Sequence, residues 1–194
     1  IRDVDLLERI ITYVMANVGH PHSARSISNY FKSENRKVAP ETVLNYIKAC
    51  CDAYLFCKAS RQDLIGKRIL SVNEKYYIVD HGLRQAVYGS NARDLDQILE
   101  NIVYMELLRR GYEVYVGKLY KNEVDFVANR QGERIYIQVS DDISSEKTFE
   151  RETRSLLAIP DAYPKLIIAR TRHEDYDYKG IQILDLPRWL SKKW

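Results

Sequence analysis

The chain has 194 residues, with 30 basic and 27 acidic side chains and a net charge of +3. That length admits one large or two small domains, and so even a charge balance neither requires nor excludes a nucleic-acid partner. No apolar run reaches the ~18 residues of a membrane span and no secretory pattern opens the chain, so no membrane partner is expected.

The first residue is Ile1, which predicts a fragment whose upstream part is missing. Residues 4 to 18 read as a helix, because Val4, Leu7, Ile10, Ile11, Val14 and Val18 recur at three- and four-residue steps. Gly19-His20-Pro21 stops it; His20 and His22 by themselves make a poor metal site. Ser23 or Ser26 suits the cap of a second helix through Phe31. Pro40 sits well in the first turn of a third, whose buried stripe is expected to be Val43, Tyr46, Ile47, Cys50, Cys51 and Tyr54. The three cysteines are Cys50, Cys51 and Cys57. An odd, clustered set without zinc spacing reads as buried thiols in a reducing cytoplasm.

Strand-like runs follow at Leu55–Ala59, Arg68–Val72 and Lys75–Val79, with Gly66 in the first link. Three short helices and a hairpin are the order of a winged helix-turn-helix, whose third helix would enter a major groove while the hairpin touches backbone. The expected nucleic-acid-binding residues are Thr42, Asn45 and Lys48 on that helix, and Lys67 and Arg68 on the wing. Glu41 and Asp52 would face phosphates unfavourably, so a packing or spacer role is the competing reading. Asp80 is a candidate cap for a further helix, and the domain boundary is expected near residues 85–92, giving domains 1–88 and 89–194.

The second half reads as helix 95–110, strands 112–117, 123–129 and 134–140, helix 145–158, strands 165–170 and 181–185, and a short helix 186–191. Asn129-Arg130-Gln131-Gly132 suits a hairpin, which makes the middle strands antiparallel. The helix before 165–170 predicts a crossover and therefore an α/β mixed sheet. Residues 171–179 read as a solvated loop.

Glu100 on a helix, Glu123-Val124-Asp125 on a strand and Gln138-Val139-Ser140 on the next have the layout of a metal-dependent nuclease. Such chemistry needs clustered carboxylates to hold Mg²⁺ and usually a cation to orient the nucleophile. Residues two apart on a strand share a face, so Glu123 with Asp125, and Gln138 with Ser140, are expected to meet. Each acid also has a plain reading, Glu100 paired with a neighbouring base and Glu123 with Asp125 as a solvated strand end.

Asp80-x-Gly82-Leu83-Arg84, Leu99-Glu100-Asn101-Ile102-Val103-Tyr104, Arg110-Gly111-Tyr112-Glu113-Val114, Glu123-Val124-Asp125-Phe126-Val127, Tyr136-Ile137-Gln138-Val139 and Tyr163-Pro164-Lys165 together resemble the DUF4143 domain. That resemblance, over roughly residues 75–190, implies the C-terminal part of a prokaryotic AAA-type ATP-binding protein. It also implies a winged helix followed by a fold similar to PD-(D/E)XK (restriction-endonuclease-like) nucleases. An upstream P-loop ATPase domain would then be a partner, and ATP would bind there. This chain has no G-x-x-x-x-G-K-[ST]; Gly66-Lys67 and Gly117-Lys118 lack the rest. Carried over, Glu100 matches the helix acid and Asp125 the strand acid. Gln138 falls where a second acid belongs, and Ser140 where a lysine belongs. A silent nuclease-like module that binds nucleic acid or protein is the leading expectation. The alternatives are a divergent Mg²⁺-dependent nuclease with Glu100 and Asp125 as weak metal ligands, and a structural docking or oligomerisation unit.

Overall fold

The computed structural model describes residues 3–89 and 94–192. The chain packs as two compact units, Ile1–Ala59 with Ser71–Ala92, and Ser60–Leu70 with Arg93–Trp194.

In the N-terminal unit α1 (Val4–Ala16) starts where Asp3 accepts the Leu6 N–H at 2.9 Å. It buries Leu6, Ile10, Val14 and Met15, while Val4, expected in the stripe, is exposed. α2 (Ala24–Ser33) opens on a reciprocal cap between Ser23 and Ser26. α3 (Pro40–Asp52) has its proline in the first turn and buries Val43, Ile47 and Cys50. Each fully buried aliphatic side chain of this size contributes roughly 1.5–3 kcal/mol. Tyr46 and Cys51 are only half-buried, and Tyr54 is 81% exposed. Tyr54 takes φ 56° just past the helix, and that left-handed residue turns its ring away from the stripe that the helical period had assigned it.

β1 (Phe56–Asp63) and β2 (Arg68–Ile78) come next, and the two runs expected around Lys75 are one continuous strand. The His22 N–H bonds the Glu74 carbonyl at 3.1 Å, and its ring stacks on Tyr76 at 5.1 Å. α4 (His81–Tyr88) begins on Asp80, whose carboxylate accepts the Gly82 N–H at 2.7 Å. Buried Arg84 donates to the Met15 carbonyl at 2.9 Å and holds α4 on α1. The expected boundary residues Ser90 and Asn91 lie outside the described residues.

The C-terminal unit is built on a mixed sheet. After α5 (Leu95–Arg109) come β3 (Glu113–Leu119), β4 (Asn122–Arg130) and β5 (Glu133–Ser140). α6 (Glu146–Leu157) then crosses to β6 (Lys165–Ala169), followed by β7 (Tyr176–Tyr178), β8 (Ile181–Asp185) and α7 (Leu186–Ser191). Among the described residues the order is β2-β1-β3-β4-β5-β6-β8-β7. β3, β4 and β5 are antiparallel neighbours, whereas β5, β6 and β8 run parallel. Two features depart from the sequence reading. Residues 176–178, expected in a loop, form β7, which pairs antiparallel with β8. The outer part of β1, Arg61 to Asp63, pairs in parallel with Val116 to Lys118 of β3, so residues 60–70 belong to this unit. Local hydrophobic pattern gives no sign of this pairing, because its partners lie over fifty positions apart.

One apolar layer gathers Leu119, Val124, Val127, Tyr136, Leu156, Ile167 and Ile183. Leu157 of α6 is exposed. Arg110 secures α7 by donating to the Trp189 carbonyl at 2.8 Å, with its guanidinium 4.1 Å from the indole ring centre.

Candidate functional site

The register of β3 against β4 puts the site where it is. Tyr115 pairs with Val127, but Gly117 pairs with Val124. One residue of β3, Val116, therefore stands opposite two of β4, Asp125 and Phe126. A bulge of this kind bends the strand and interrupts the alternation of its side chains. On the other side, β4 stays in register with β5 only as far as Phe126 opposite Ile137. Beyond that pair the two strands separate. Side chains take over the hydrogen bonds that the ladder gives up. The Val139 N–H donates to Asp125 Oδ2 at 2.8 Å, and the Asp125 N–H donates to Gln138 Oε1 at 3.3 Å.

The opening leads into a hollow of about 460 Å³. Glu100 and Asp96 of α5, Glu123 and Asp125 of β4, and Gln138 of β5 line it, with Arg151 and Glu152 of α6 on the far wall. Glu100, Glu123, Asp125 and Gln138 are thus brought together, as the sequence spacing led one to expect. Ser140 is not. It is buried, its hydroxyl donates to the Asp142 carbonyl at 3.3 Å, and it does not reach the hollow. The chain is already turning at Asp141–Ser144, so Ser140 serves that turn and does not stand in for a lysine.

The charges of the hollow are largely answered within the protein. Arg61, with a side chain 14% exposed, holds Glu123 at 3.3 Å. Glu152 is 4% exposed and accepts from both Nε and a terminal nitrogen of Arg151, at 2.8 and 2.5 Å. The bond to Glu152 raises the Arg151 pKa above its ordinary value, with Asp96 and Asp125 adding to the effect. Asp96 accepts the Asp141 N–H at 2.7 Å.

This donor set does not fit Mg²⁺. The ion wants a near-octahedral oxygen set, usually one or two carboxylates completed by waters. Here Asp125 is tied to the β5 backbone, Glu123 to Arg61, and the third position is a neutral amide. Among the described residues no group of three or more His, Cys, Asp or Glu side chains converges to hold a metal ion. The third carboxylate beside Glu100 and Asp125 is Glu123, and Arg61 holds it.

Sequence reasoning missed Asp96, Arg61, Arg151 and Glu152. A signal existed for one of them. Glu152 falls on the same helical face as Phe149, Thr153 and Leu156, and an acid inside a buried stripe is unusual unless paired. Arg61 could not be found that way, since only the parallel β1–β3 pairing carries it to Glu123. A broader groove of about 1140 Å³ beside the Asn129–Glu133 turn is larger but chemically less focused. Arg130 there faces Glu133 at 3.7 Å, and Asp161 accepts the Tyr136 hydroxyl at 2.6 Å.

The residues assigned to nucleic acid are divided between the two units. Asn45 and Lys48 are exposed on α3 and Thr42 is half-buried; all three lie in the N-terminal unit. Lys67, in the turn that follows β1, and Arg68, which opens β2, lie in the C-terminal unit, with Arg68 facing Asp63 at 3.9 Å. Asn45 and Lys48 border a depression of about 380 Å³ shared with Lys58, Glu74 and Tyr76.

Residues 95–189 match the family model described as a domain of unknown function, DUF4143. The DUF4143 segment begins with α5 and so contains the bulge, the opened strands and α6. Residues 1–94 match a second model, the domain of unknown function DUF8612. An uncharacterized protein of Haemophilus influenzae is 39% identical over 98% of this chain, which covers 47% of that relative. Uncharacterized protein MJ1544 of Methanocaldococcus jannaschii is 29% identical over 80% of this chain, covering 34% of that relative. The chain thus spans half or less of the length of these relatives. No solved structure matches it. Among the described residues, no helix is long and apolar enough to cross a membrane.

Proposed function

We propose that this chain is a non-catalytic binding module of a longer prokaryotic ATP-binding protein. In this reading α1–α3 with the first two strands are a winged-helix unit, and the DUF4143 segment is a nuclease-like fold that has lost its hydrolytic set. The module engages nucleic acid or protein, and ATP is handled by an AAA-type domain elsewhere. The greater length of the relatives supports a modular part. One observation carries the loss of catalysis: Asp125 and Gln138 are engaged with each other's strands, the carboxylate on the Val139 N–H and the amide oxygen on the Asp125 N–H. The backbone donor fixes Asp125 Oδ2 on β5, and the neutral amide of Gln138 brings no charge to a metal beside it.

The test combines a nicking assay on DNA and RNA in Mg²⁺ or Mn²⁺ with binding measured at two salt concentrations. The expected outcome is no cleavage. Binding to DNA that falls steeply with salt favours phosphate contacts, with Lys48→Glu weakening it, whereas salt-insensitive association favours protein docking. Cleavage that depends on Glu100 and Asp125 would overturn the proposal. The second reading, a divergent Mg²⁺-dependent nuclease, is favoured by the meeting of Glu100, Glu123 and Asp125 around one hollow.

A further inference from the structure

The hollow at the opened end of β4 and β5 is crowded with acids yet supplies no metal set, and its far wall shows what stands there instead. Five carboxylates border it, from Asp96, Glu100, Glu123, Asp125 and Glu152. Lys121, Arg151 and Arg154 line it too; Arg151 of α6 pairs with Glu152 and Arg61 of β1 with Glu123, whereas Arg154 pairs with Glu150, which does not border the hollow. Glu152 is the most deeply buried of these acids, and a buried carboxylate needs a charged partner. Arg151 is that partner, although 69% of its own side chain is exposed. The same side chain lines the hollow together with Asp96 and Asp125. A divalent ion beside Asp125 would sit next to this positive charge and meet like-charge repulsion.

We infer that Arg151 is the resident cation of this hollow: its guanidinium takes the electrostatic place of a divalent ion and keeps the hollow metal-free. The inference rests on the non-catalytic reading of the DUF4143 segment and adds its cause. Two features, not one, exclude a metal. The amide of Gln138 withholds a charge, and the guanidinium of Arg151 supplies the opposite one. Placing a carboxylate at position 138 therefore does not suffice. A second carboxylate beside Asp125 is only drawn closer into the pairing that Arg151 already makes. Removing Arg151 as well takes that neutralising charge away from Glu152, Asp125 and the carboxylate introduced at position 138. These are hard oxygen donors of the kind Mn²⁺ takes.

The experiment titrates MnCl₂ into the full chain by calorimetry and by water-proton relaxation. It uses the parent and the variants Gln138→Glu, Arg151→Gln, Gln138→Glu with Arg151→Gln, and Gln138→Glu with Arg151→Lys. The double variant that loses the arginine charge is expected to bind Mn²⁺ roughly tenfold or more tightly than any of the others, a change on the scale of losing a supporting group at a metal site. The Arg151→Lys double variant, which keeps the charge, is expected to behave like Gln138→Glu alone. Should Gln138→Glu alone bind as tightly as the charge-removing double variant, the amide is the whole defect and the role given to Arg151 falls. That role falls equally if the two double variants bind alike, or if the charge-removing one gains nothing. Tight Mn²⁺ binding by the parent, with cleavage, would instead sink the non-catalytic reading itself. Thermal melts of each variant without metal show that every protein titrated is folded.

Discussion

Asp125 offers the sharpest test, because two accounts of it predict opposite signs. If the carboxylate is a structural clasp, removing it leaves the Val139 N–H without its 2.8 Å acceptor at a residue that is itself buried. A hydrogen bond to a charged group contributes about 1.5–3 kcal/mol, and a stranded buried donor costs about the same. Asp125→Ala is therefore expected to destabilise the C-terminal unit by about 2 kcal/mol, or roughly 4–8 °C in the melting midpoint for a chain of this size. Asp125→Asn keeps an oxygen in place and is expected to cost less than about 1 kcal/mol. If the acid were instead one of several carboxylates held close for a metal, its removal would relieve repulsion and leave the apo protein unchanged or more stable. Trp189 is buried in the C-terminal unit, so urea unfolding followed by tryptophan fluorescence reports on that unit. An unchanged denaturant slope with a lower midpoint is the expected result. Equal stability of the parent, the Ala variant and the Asn variant would refute the clasp.

Three further outcomes follow from the packing. A methyl at Gly117 would lie 3.0 Å from Val127 Cγ2 and 3.1 Å from Val124 Cβ, so Gly117→Ala should lose about 1–3 kcal/mol in the same unfolding experiment. Burial pulls the His22 pKa below its ordinary 6.5, outweighing its hydrogen bond to the His20 carbonyl. The unfolded chain thus takes up a proton that the folded one resists. Stability is complete above about pH 6.5 and falls as the pH drops below it, with a slope of up to ~1.4 kcal/mol per pH unit for one proton. His22→Gln should flatten that slope in melts between about pH 7 and 5, leaving the part due to His81, which burial also lowers. Burial first, and the neighbouring Cys50 and Cys57 next, push Cys51 up to about 11, so its alkylation at about pH 8 should run roughly a hundredfold slower than that of an ordinary thiol. Mass spectrometry of native and urea-unfolded protein measures the difference.

How much of this was legible beforehand depends on the distance over which each feature is decided. Helix starts at Ser23, Pro40 and Asp80, the turn at Gly132 and the crossover helix before Lys165 are written in a few adjacent residues. They depend on caps, fixed φ values and periodic apolar positions, all of which act locally. The meeting of Glu100, Glu123, Asp125 and Gln138 was also within reach, since strand alternation and one hairpin nearly determine it. The roles of these residues were not.

Tertiary structure alone decided those roles. The bulge opposite Val116 and the separation of β4 from β5 turn Asp125 and Gln138 from facing donors into a clasp. Arg61 reaches Glu123 because β1 lies parallel to β3, and Arg151 reaches the hollow because α6 packs beside β4 and β5. Lys67 and Arg68 fall in the C-terminal unit for the same cause, the pairing of Arg61 to Asp63 with β3. Local chemistry names which residues carry charge. Which charges meet is decided by pairings between segments far apart in the chain, and those energies appear only once the sheet has formed.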